Sequence, residues 1–260
     1  VAGHSVGEVA AAWAAGVLSL ADAVTVIFHR SRLQGLTRGQ GQMTAVGLSV
    51  LDCEQLLADL GLQGQICIAG DNSRNGVTVA GDATALTMLE TELERRAVFV
   101  RRLALDYAFH SPAMDPIASE LQQVLADLQP QTGHLAFYST VYGAKTAGTA
   151  LDAHYWWLNI REPVQFHAAI SALVQDGLQL FAELGGHPVL RSYLTEALQG
   201  LPGACFGSLK RQQAGIVQVQ QLRDGALGVD RPWVVLVEIP LLLCHQRGVG
   251  QPGCRVRLGE

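Results

Sequence analysis

The stretch Gly3-His4-Ser5-Val6-Gly7 decides the fold. It matches the pattern G-x-S-x-G, a nucleophile elbow in which a strand turns sharply into a helix and exposes a serine hydroxyl. Glycine at both ends lets the backbones approach closely, and the helix that begins there offers free N–H groups to an oxyanion. The Ala-rich run from Glu8 to Ala15 predicts that helix, although the strand before the elbow is reduced to Val1-Ala2.

Composition limits the class of protein. The 260 residues are 49% hydrophobic and 16% charged, which predicts a substantial core rather than disorder. A net charge of −5 argues against nucleic-acid binding. The five cysteines show neither C-x-x-C nor metal-ligand spacing, so we expect no metal site, no disulfide framework and a reducing, cytoplasmic location. No apolar run approaches the ~18 residues of a membrane span, so no membrane partner is expected.

Working outward from the elbow, the hydrophobic pattern changes twice along the chain. Residues 43–105 follow the order strand–helix–strand–strand–helix–strand, a ferredoxin-like βαββαβ unit. Around it, helices and strands alternate, which predicts an α/β core with a mostly parallel sheet. We therefore expect a core at 1–42 and 106–210, an inserted subdomain at 43–105, and a linker or tail at 211–260.

Individual elements of the core and tail are also predicted from their pattern. Helices are expected at 113–128 and 164–175, and core strands at 135–140 and 178–183. The tail is expected to hold strands at 215–221 and 234–243 before a Gly- and Arg-rich end at 244–260.

A serine nucleophile needs a general base, usually a histidine held by a third group. His110 follows a strand end and His187 lies in a Gly-rich turn, and position alone leaves both open. The side chain of His4 should diverge from that of its neighbour Ser5. Asp106 could orient a histidine or be purely structural.

Arg30, in the helix that Ser19 is expected to cap, also has two interpretations. A cation near a helix C-terminus is favourable without any function. Alternatively, the guanidinium is a bidentate clamp for a substrate carboxylate.

Six separated motifs occur in order: Gly3-His4-Ser5-Val6-Gly7-Glu8, Arg30-Ser31-Arg32, Asn72-Ser73, Tyr107-Ala108-Phe109-His110-Ser111, Asn159-Ile160-Arg161-Glu162-Pro163-Val164 and Gly185-Gly186-His187-Pro188-Val189-Leu190. This succession resembles the acyltransferase domain of modular type I polyketide synthases, akin to malonyl-CoA:acyl carrier protein transacylases, from Val1 to about Gln213. The resemblance implies an α/β-hydrolase-like core with a ferredoxin-like insert. It also implies that the N-terminal part of the core, with a Gly-Gln-Gly loop and the second oxyanion donor, is missing, so that the chain should not be fully active.

The resemblance also implies roles for the candidate residues. Ser5 would be the acylated nucleophile and His110 its base and later acid, which leaves His187 structural. Arg30 would pair with the free carboxylate of a malonyl-type unit. Asn159 would orient His110 through its carbonyl, and the backbone N–H of Val6 would be an oxyanion donor.

The implied reaction is a ping-pong transfer. Malonyl-CoA or methylmalonyl-CoA would acylate the serine, and the phosphopantetheine thiol of an acyl carrier protein would take the acyl group, with ketosynthase and other synthase domains alongside and no bound cofactor. For the extender unit, Tyr107-Ala108-Phe109-His110 is a hybrid of the methylmalonyl and malonyl motifs. Phe109 would crowd an α-methyl group, and Val6 adds little, so malonyl is favoured.

Two alternatives stay open from the sequence. A serine hydrolase or thioesterase would share the elbow but would want an acidic third member and no arginine clamp. A catalytically inert fragment would keep the motifs without the activity.

Overall fold

A mostly parallel sheet supports the elbow. The computed structural model describes residues 1–212, 215, 217, 218, 220 and 233–237. Within them this sheet has six strands: β1 (Ala2–Gly3), β6 (Phe137–Ser139), β7 (Ala144–Thr146), β9 (Leu180–Leu184), β10 (Ala204–Gly207) and β11 (Trp233–Val237). Their order is β10-β9-β11-β1-β6-β7, and only the β6–β7 pair is antiparallel. The predicted mostly parallel sheet is confirmed.

Helices cover both faces of this sheet. They are α1 (Gly7–Ala14), α2 (Leu20–Gln34), α5 (Ala118–Val124), α6 (Ala153–Arg161), α7 (Phe166–Gln175) and α8 (Arg191–Ala197). Successive strand side chains point to opposite faces. Accordingly, Phe137 packs with residues of α1, α2, α5 and α6, whereas Tyr138 packs with those of α7 and α8. At the start of α2, the Ser19 hydroxyl accepts a hydrogen bond from the Asp22 N–H at 3.1 Å, as the capping pattern predicts.

The insert has the predicted βαββαβ order. Its elements are β2 (Gln42–Val46), α3 (Val50–Asp59), β3 (Ile66–Ser73), β4 (Gly76–Gly81), α4 (Ala83–Arg95) and β5 (Val100–Arg102). The antiparallel order β5-β2-β4-β3 is that of a ferredoxin-like sheet. Leu56 of α3 and Leu86 of α4 pack on Val77 and Val79 to form a core of its own. The domain boundaries remain predictions.

A two-residue strand joins the two sheets. β8 (Val164–Gln165) pairs in parallel with β3 of the insert. The Gln165 N–H also donates to the carbonyl of Thr140, just after β6, at 2.6 Å. The end of β6 and the insert are therefore held together beside the elbow.

Several core predictions are corrected by the structure. The helix expected at 113–128 begins as a 3-10 turn (Pro112–Ile117), because Pro116 has no N–H to donate, and only Ala118–Val124 is α-helical. The helix expected at 164–175 starts at Phe166, since β8 takes the two preceding residues. The aromatic cluster at 155–157, to which no element was assigned, lies in α6.

The tail differs more from its prediction. Gly215, Val217, Gln218 and Gln220 are helical, so the strand expected at 215–221 is wrong. The strand expected at 234–243 is found from Trp233 to Val237, and the remainder of that prediction, like the 244–260 end, lies outside the described residues. Because β11 is a central strand, the expectation of a linker does not hold for these five residues. Among the described helices, none has the length and apolar character needed to cross a membrane.

Candidate active site

Ser5 lies at the turn between β1 and α1 in a strained conformation. Its φ is 52°, in the left-handed region that side chains other than glycine rarely occupy. A Cβ on Gly3 would lie 2.2 Å from the backbone nitrogen of Glu8, so only glycine fits there. Such strain costs about 1–3 kcal/mol and persists only where the surroundings enforce it. The predicted nucleophile elbow is therefore present in the fold.

His110 is hydrogen-bonded to the nucleophile. Its Nε2 lies 2.7 Å from the Ser5 hydroxyl, and its own φ of 59° is also left-handed. The His110 N–H donates to the carbonyl of Ile160 at 3.0 Å, which ties this loop to α6. Both members of the pair are thus held in conformations that they would rarely adopt in a free chain.

The other ring nitrogen of His110 contacts a backbone carbonyl. Its Nδ1 lies 2.8 Å from the carbonyl oxygen of Glu162. The expectation that Asn159 orients His110 is therefore corrected: α6 ends at Arg161, and the extended backbone of Glu162 turns its carbonyl to the histidine. Since a carbonyl only accepts, Nδ1 carries the proton and Nε2 is the acceptor. No acidic third member is needed.

Arg30 points at the same hydroxyl. It lies on α2, is almost fully buried, and donates from one terminal nitrogen to Ser5 Oγ at 3.1 Å. Its other terminal nitrogen donates to the side-chain oxygen of Asn159. A favourable interaction with the helix C-terminus does not by itself explain this placement, because the side chain is turned inward to the nucleophile.

The electrostatics of the site keep His110 in its neutral form. Burial, followed by the positive charge of Arg30, lowers the pKa of His110 to about 3. The imidazole is therefore neutral at pH 7 and can accept the serine proton through Nε2.

Val6 occupies the N-cap of α1. Within the described part of the chain, its N–H donates to no protein acceptor. A free N–H directly after the nucleophile, at a helix N-terminus, is positioned to bind an oxyanion.

The remaining candidates lie elsewhere. His4 points to the insert, where its Nε2 is 2.8 Å from the side-chain oxygen of Asn72. Asp106 pairs with Arg38 at 3.8 Å, both exposed, and does not orient the histidine. His187 lies in a loop after β9, and the described contacts of the Ser5 hydroxyl do not include it. The rings of Tyr107 and Phe109 stack with centroids 4.9 Å apart, beside His110 in the chain.

Sequence reasoning missed a buried carboxyl. Glu8 is fully buried in the first turn of α1 and accepts hydrogen bonds from Tyr155, Asn159 and the backbone of Thr140. The available signal was a glutamate in an otherwise apolar run, Gly7-Glu8-Val9-Ala10-Ala11-Ala12. A charged residue among residues that will be buried needs partners.

Comparisons with known proteins now bear on this geometry. The family model described as "Acyl transferase domain" matches residues 1–229. The chain belongs to the acyl transferase domain family. Its relatives are polyketide synthases: it is 41% identical over 237 residues to the spectinabilin polyketide synthase system protein NorA' of Streptomyces orinoci, and 36% identical over 215 residues to erythronolide synthase EryA2 of Saccharopolyspora erythraea. These alignments cover 88% and 81% of the chain.

Solved acyl transferase structures share the fold. The acyltransferase domain from module 8 of the salinomycin polyketide synthase superposes with a TM-score of 0.85 at 34% identity, over 89% of this chain and 55% of that one. FabD from Acinetobacter baumannii, at 23% identity and a TM-score of 0.75, shows likeness of fold alone. The predicted acyltransferase fold and the polyketide synthase resemblance are confirmed. The chain spans only about 6% of the two synthases named above.

Proposed function

We propose that this domain transfers a malonyl-type extender unit from CoA to the phosphopantetheine thiol of an acyl carrier protein, through an acyl group on Ser5. One observation carries the proposal: a neutral histidine and a buried arginine converge on one serine hydroxyl, at 2.7 Å and 3.1 Å. Membership of the acyl transferase domain family supports the reaction class.

The first half-reaction follows from the contacts of Ser5. His110 Nε2 takes the hydroxyl proton as Oγ attacks the thioester carbonyl carbon, and the Val6 N–H donates to the resulting oxyanion. When the C–S bond breaks, the proton on His110 passes to the CoA sulfur. The carbonyl of Glu162 keeps the imidazole in the required tautomer throughout.

The second half-reaction reverses these roles. The thiol of the carrier protein's phosphopantetheine gives its proton to His110 and attacks the acyl-serine carbonyl. Collapse of the tetrahedral intermediate returns that proton to Ser5 and leaves the acyl group as a thioester on the carrier. In a multidomain synthase, a ketosynthase domain would consume that thioester. Acyl transfer by these two steps requires no bound cofactor.

Arg30 would select donors that carry a free carboxylate. A malonyl group on Ser5 places its carboxylate a few bonds from Oγ, the atom that the guanidinium already contacts. A donor without a carboxylate could not make this charge-assisted contact with the guanidinium and would be transferred more slowly. The same charge-assisted contact would hold the acyl-enzyme ready for the carrier thiol.

For the extender unit we favour malonyl over methylmalonyl. Phe109 is buried, stacked on Tyr107 and next to His110 in the chain. A ring near the α-carbon would crowd a methyl branch, a discrimination of about 1–3 kcal/mol. Val6, at the start of α1, adds only a small apolar surface. Phe109→Ser is accordingly expected to increase the share of methylmalonyl adduct.

The test is intact-protein mass spectrometry, on a protein that includes the N-terminal core segment expected from the sequence, after brief incubation with malonyl-CoA, methylmalonyl-CoA or acetyl-CoA. We expect a malonyl adduct that disappears in Ser5→Ala and is strongly depleted in Arg30→Ala. The ratio of malonyl to methylmalonyl adduct reports the extender unit. A folded protein that takes up no acyl group from any donor would contradict the proposal.

A further inference from the structure

Glu8 is a buried ionisable group that the reaction above does not use. It lies in the first turn of α1, three residues after the nucleophile, with none of its surface exposed. A charged side chain is rarely buried so completely without specific partners. Its hydrogen-bond partners nevertheless connect it to Ser5.

The carboxyl accepts three hydrogen bonds from two other elements. The Thr140 N–H, after β6, donates to one oxygen. The Tyr155 hydroxyl and the Asn159 side-chain N–H, both on α6, donate to the other at 2.7 Å each. Burial raises the pKa of Glu8 to about 7, and these hydrogen bonds act in the opposite direction by favouring the ionised form.

Asn159 continues the chain of contacts. Its side-chain nitrogen donates to Glu8 and, at 3.2 Å, to the carbonyl of Ser5. Its side-chain oxygen accepts from the guanidinium of Arg30. A carboxylate can only accept and a guanidinium can only donate, so this arrangement permits one orientation of the amide and not its flip.

We propose that Glu8 is a positioning residue for substrate selection: through the amide of Asn159 it holds the guanidinium of Arg30 where the carboxylate of the acyl group will lie. The proposal rests on the proposed function of Arg30 as carboxylate-binding group. Glu8 itself contacts neither the reacting atoms nor the substrate.

Two roles for Glu8 make different predictions. A carboxyl that only stabilises the elbow would affect all acyl donors alike, since every donor must acylate Ser5. A carboxyl that acts through Arg30 affects donors with a free carboxylate more than donors without one. The ratio of malonyl to acetyl loading therefore separates the two roles.

The test compares rates of Ser5 acylation by malonyl-CoA and acetyl-CoA, in the same extended protein, at pH 8, which is above the raised pKa of Glu8. Glu8→Ala removes both acceptor oxygens, so that the side-chain N–H of Asn159 loses its contact with the carboxyl group. We expect the malonyl-to-acetyl ratio to fall about tenfold or more, mainly through a higher KM for malonyl-CoA. Tyr155→Phe is the matched control: it removes a donor to the same carboxyl oxygen but leaves the Asn159 contact, and the ratio should hold.

Asn159→Ala is a second variant that tests the inference if Glu8→Ala does not fold. It breaks the link while Glu8 keeps its contacts with Thr140 and Tyr155, and it should lower the ratio in the same way. In the double variant, Glu8→Ala combined with Asn159→Ala, the ratio should fall no further than in Asn159→Ala alone. An unchanged ratio in the single variants, or an equal loss with both donors, overturns the inference while the proposed function stands. A wild type that takes up neither acyl group overturns the proposed function and this inference with it.

Discussion

At the scale of single residues, the site combines strain with burial. Ser5 and His110 both have positive φ, and both are buried together with Arg30. Neither φ value could be predicted from composition; the elbow motif predicted the first and nothing in the sequence predicted the second. The role of Arg30 was ambiguous for the same reason: helical spacing places it on α2 but does not say which way it points.

The charge of Arg30 should be visible in the pH dependence of acylation. Burial and this charge both lower the pKa of His110, so the free enzyme keeps a neutral base in mildly acidic solution. Removing the charge in Arg30→Ala raises that pKa toward its usual value of about 6.5. The acid limb of kcat/KM for acetyl-CoA, a donor with no carboxylate, should therefore move to higher pH.

Arg30→Lys is the matched control for this prediction, because it keeps a positive charge in the same helix. Its acid limb should stay near that of the wild type even if the rate at pH 8 falls. An acid limb that is the same in the wild type and in Arg30→Ala would show that the guanidinium does not influence the base.

At the scale of elements, features that depend on local sequence were predicted better than the ends of the helices. The elbow, the βαββαβ order and the capped α2 agree with the structure because each depends on local features: glycine sterics, strand alternation and a side-chain cap. The helix expected at 113–128 is wrong at its start because of Pro116. The carbonyl at His110 Nδ1 belongs to Glu162 because of where α6 ends, and helix ends are poorly specified by sequence.

The elbow itself gives the prediction at this scale. In Gly3→Ala the new methyl group would meet backbone atoms of Gly7 and Glu8 at 2.2–2.4 Å, and backbone cannot move aside as a flexible side chain can. We expect the free energy of unfolding to fall by ~1–3 kcal/mol or more, and Ser5 acylation to fall with it because the turn must open.

Gly35→Ala is the control, since its Cβ would meet nothing within 4 Å and its backbone is right-handed helical. It should leave stability unchanged or slightly higher. Urea denaturation followed by circular dichroism measures both variants. Equal midpoints for Gly3→Ala and the wild type would contradict the close packing of the elbow.

At the scale of the whole molecule, the sheet depends on a strand that is distant in sequence. β11 lies between β1 and β9, and the carbonyl of Val237 accepts a hydrogen bond from the N–H of His4 at 3.2 Å. An apolar run at 234–243 predicted a strand, but pattern alone cannot say where in a sheet a strand pairs. That position follows from long-range pairing, with Ala2 opposite Leu236.

A charge on β11 should therefore disrupt the site from a distance. Leu236 is fully buried between the helices of the α7–α8 face and the strands on either side. Leu236→Asp loses its apolar packing, worth about 2–5 kcal/mol, and buries a carboxylate without a partner. Since whole-protein stabilities are about 5–15 kcal/mol, we expect a large drop in Tm and loss of Ser5 acylation.

Leu184→Asp, on the neighbouring strand β9 but 38% exposed, makes the same chemical change where water can solvate the charge and should reduce the free energy of unfolding much less. Thermal unfolding and acyl adduct formation are measured for both variants. Similar Tm values for the two would mean that β11 is not an integral strand of the sheet that carries the nucleophile.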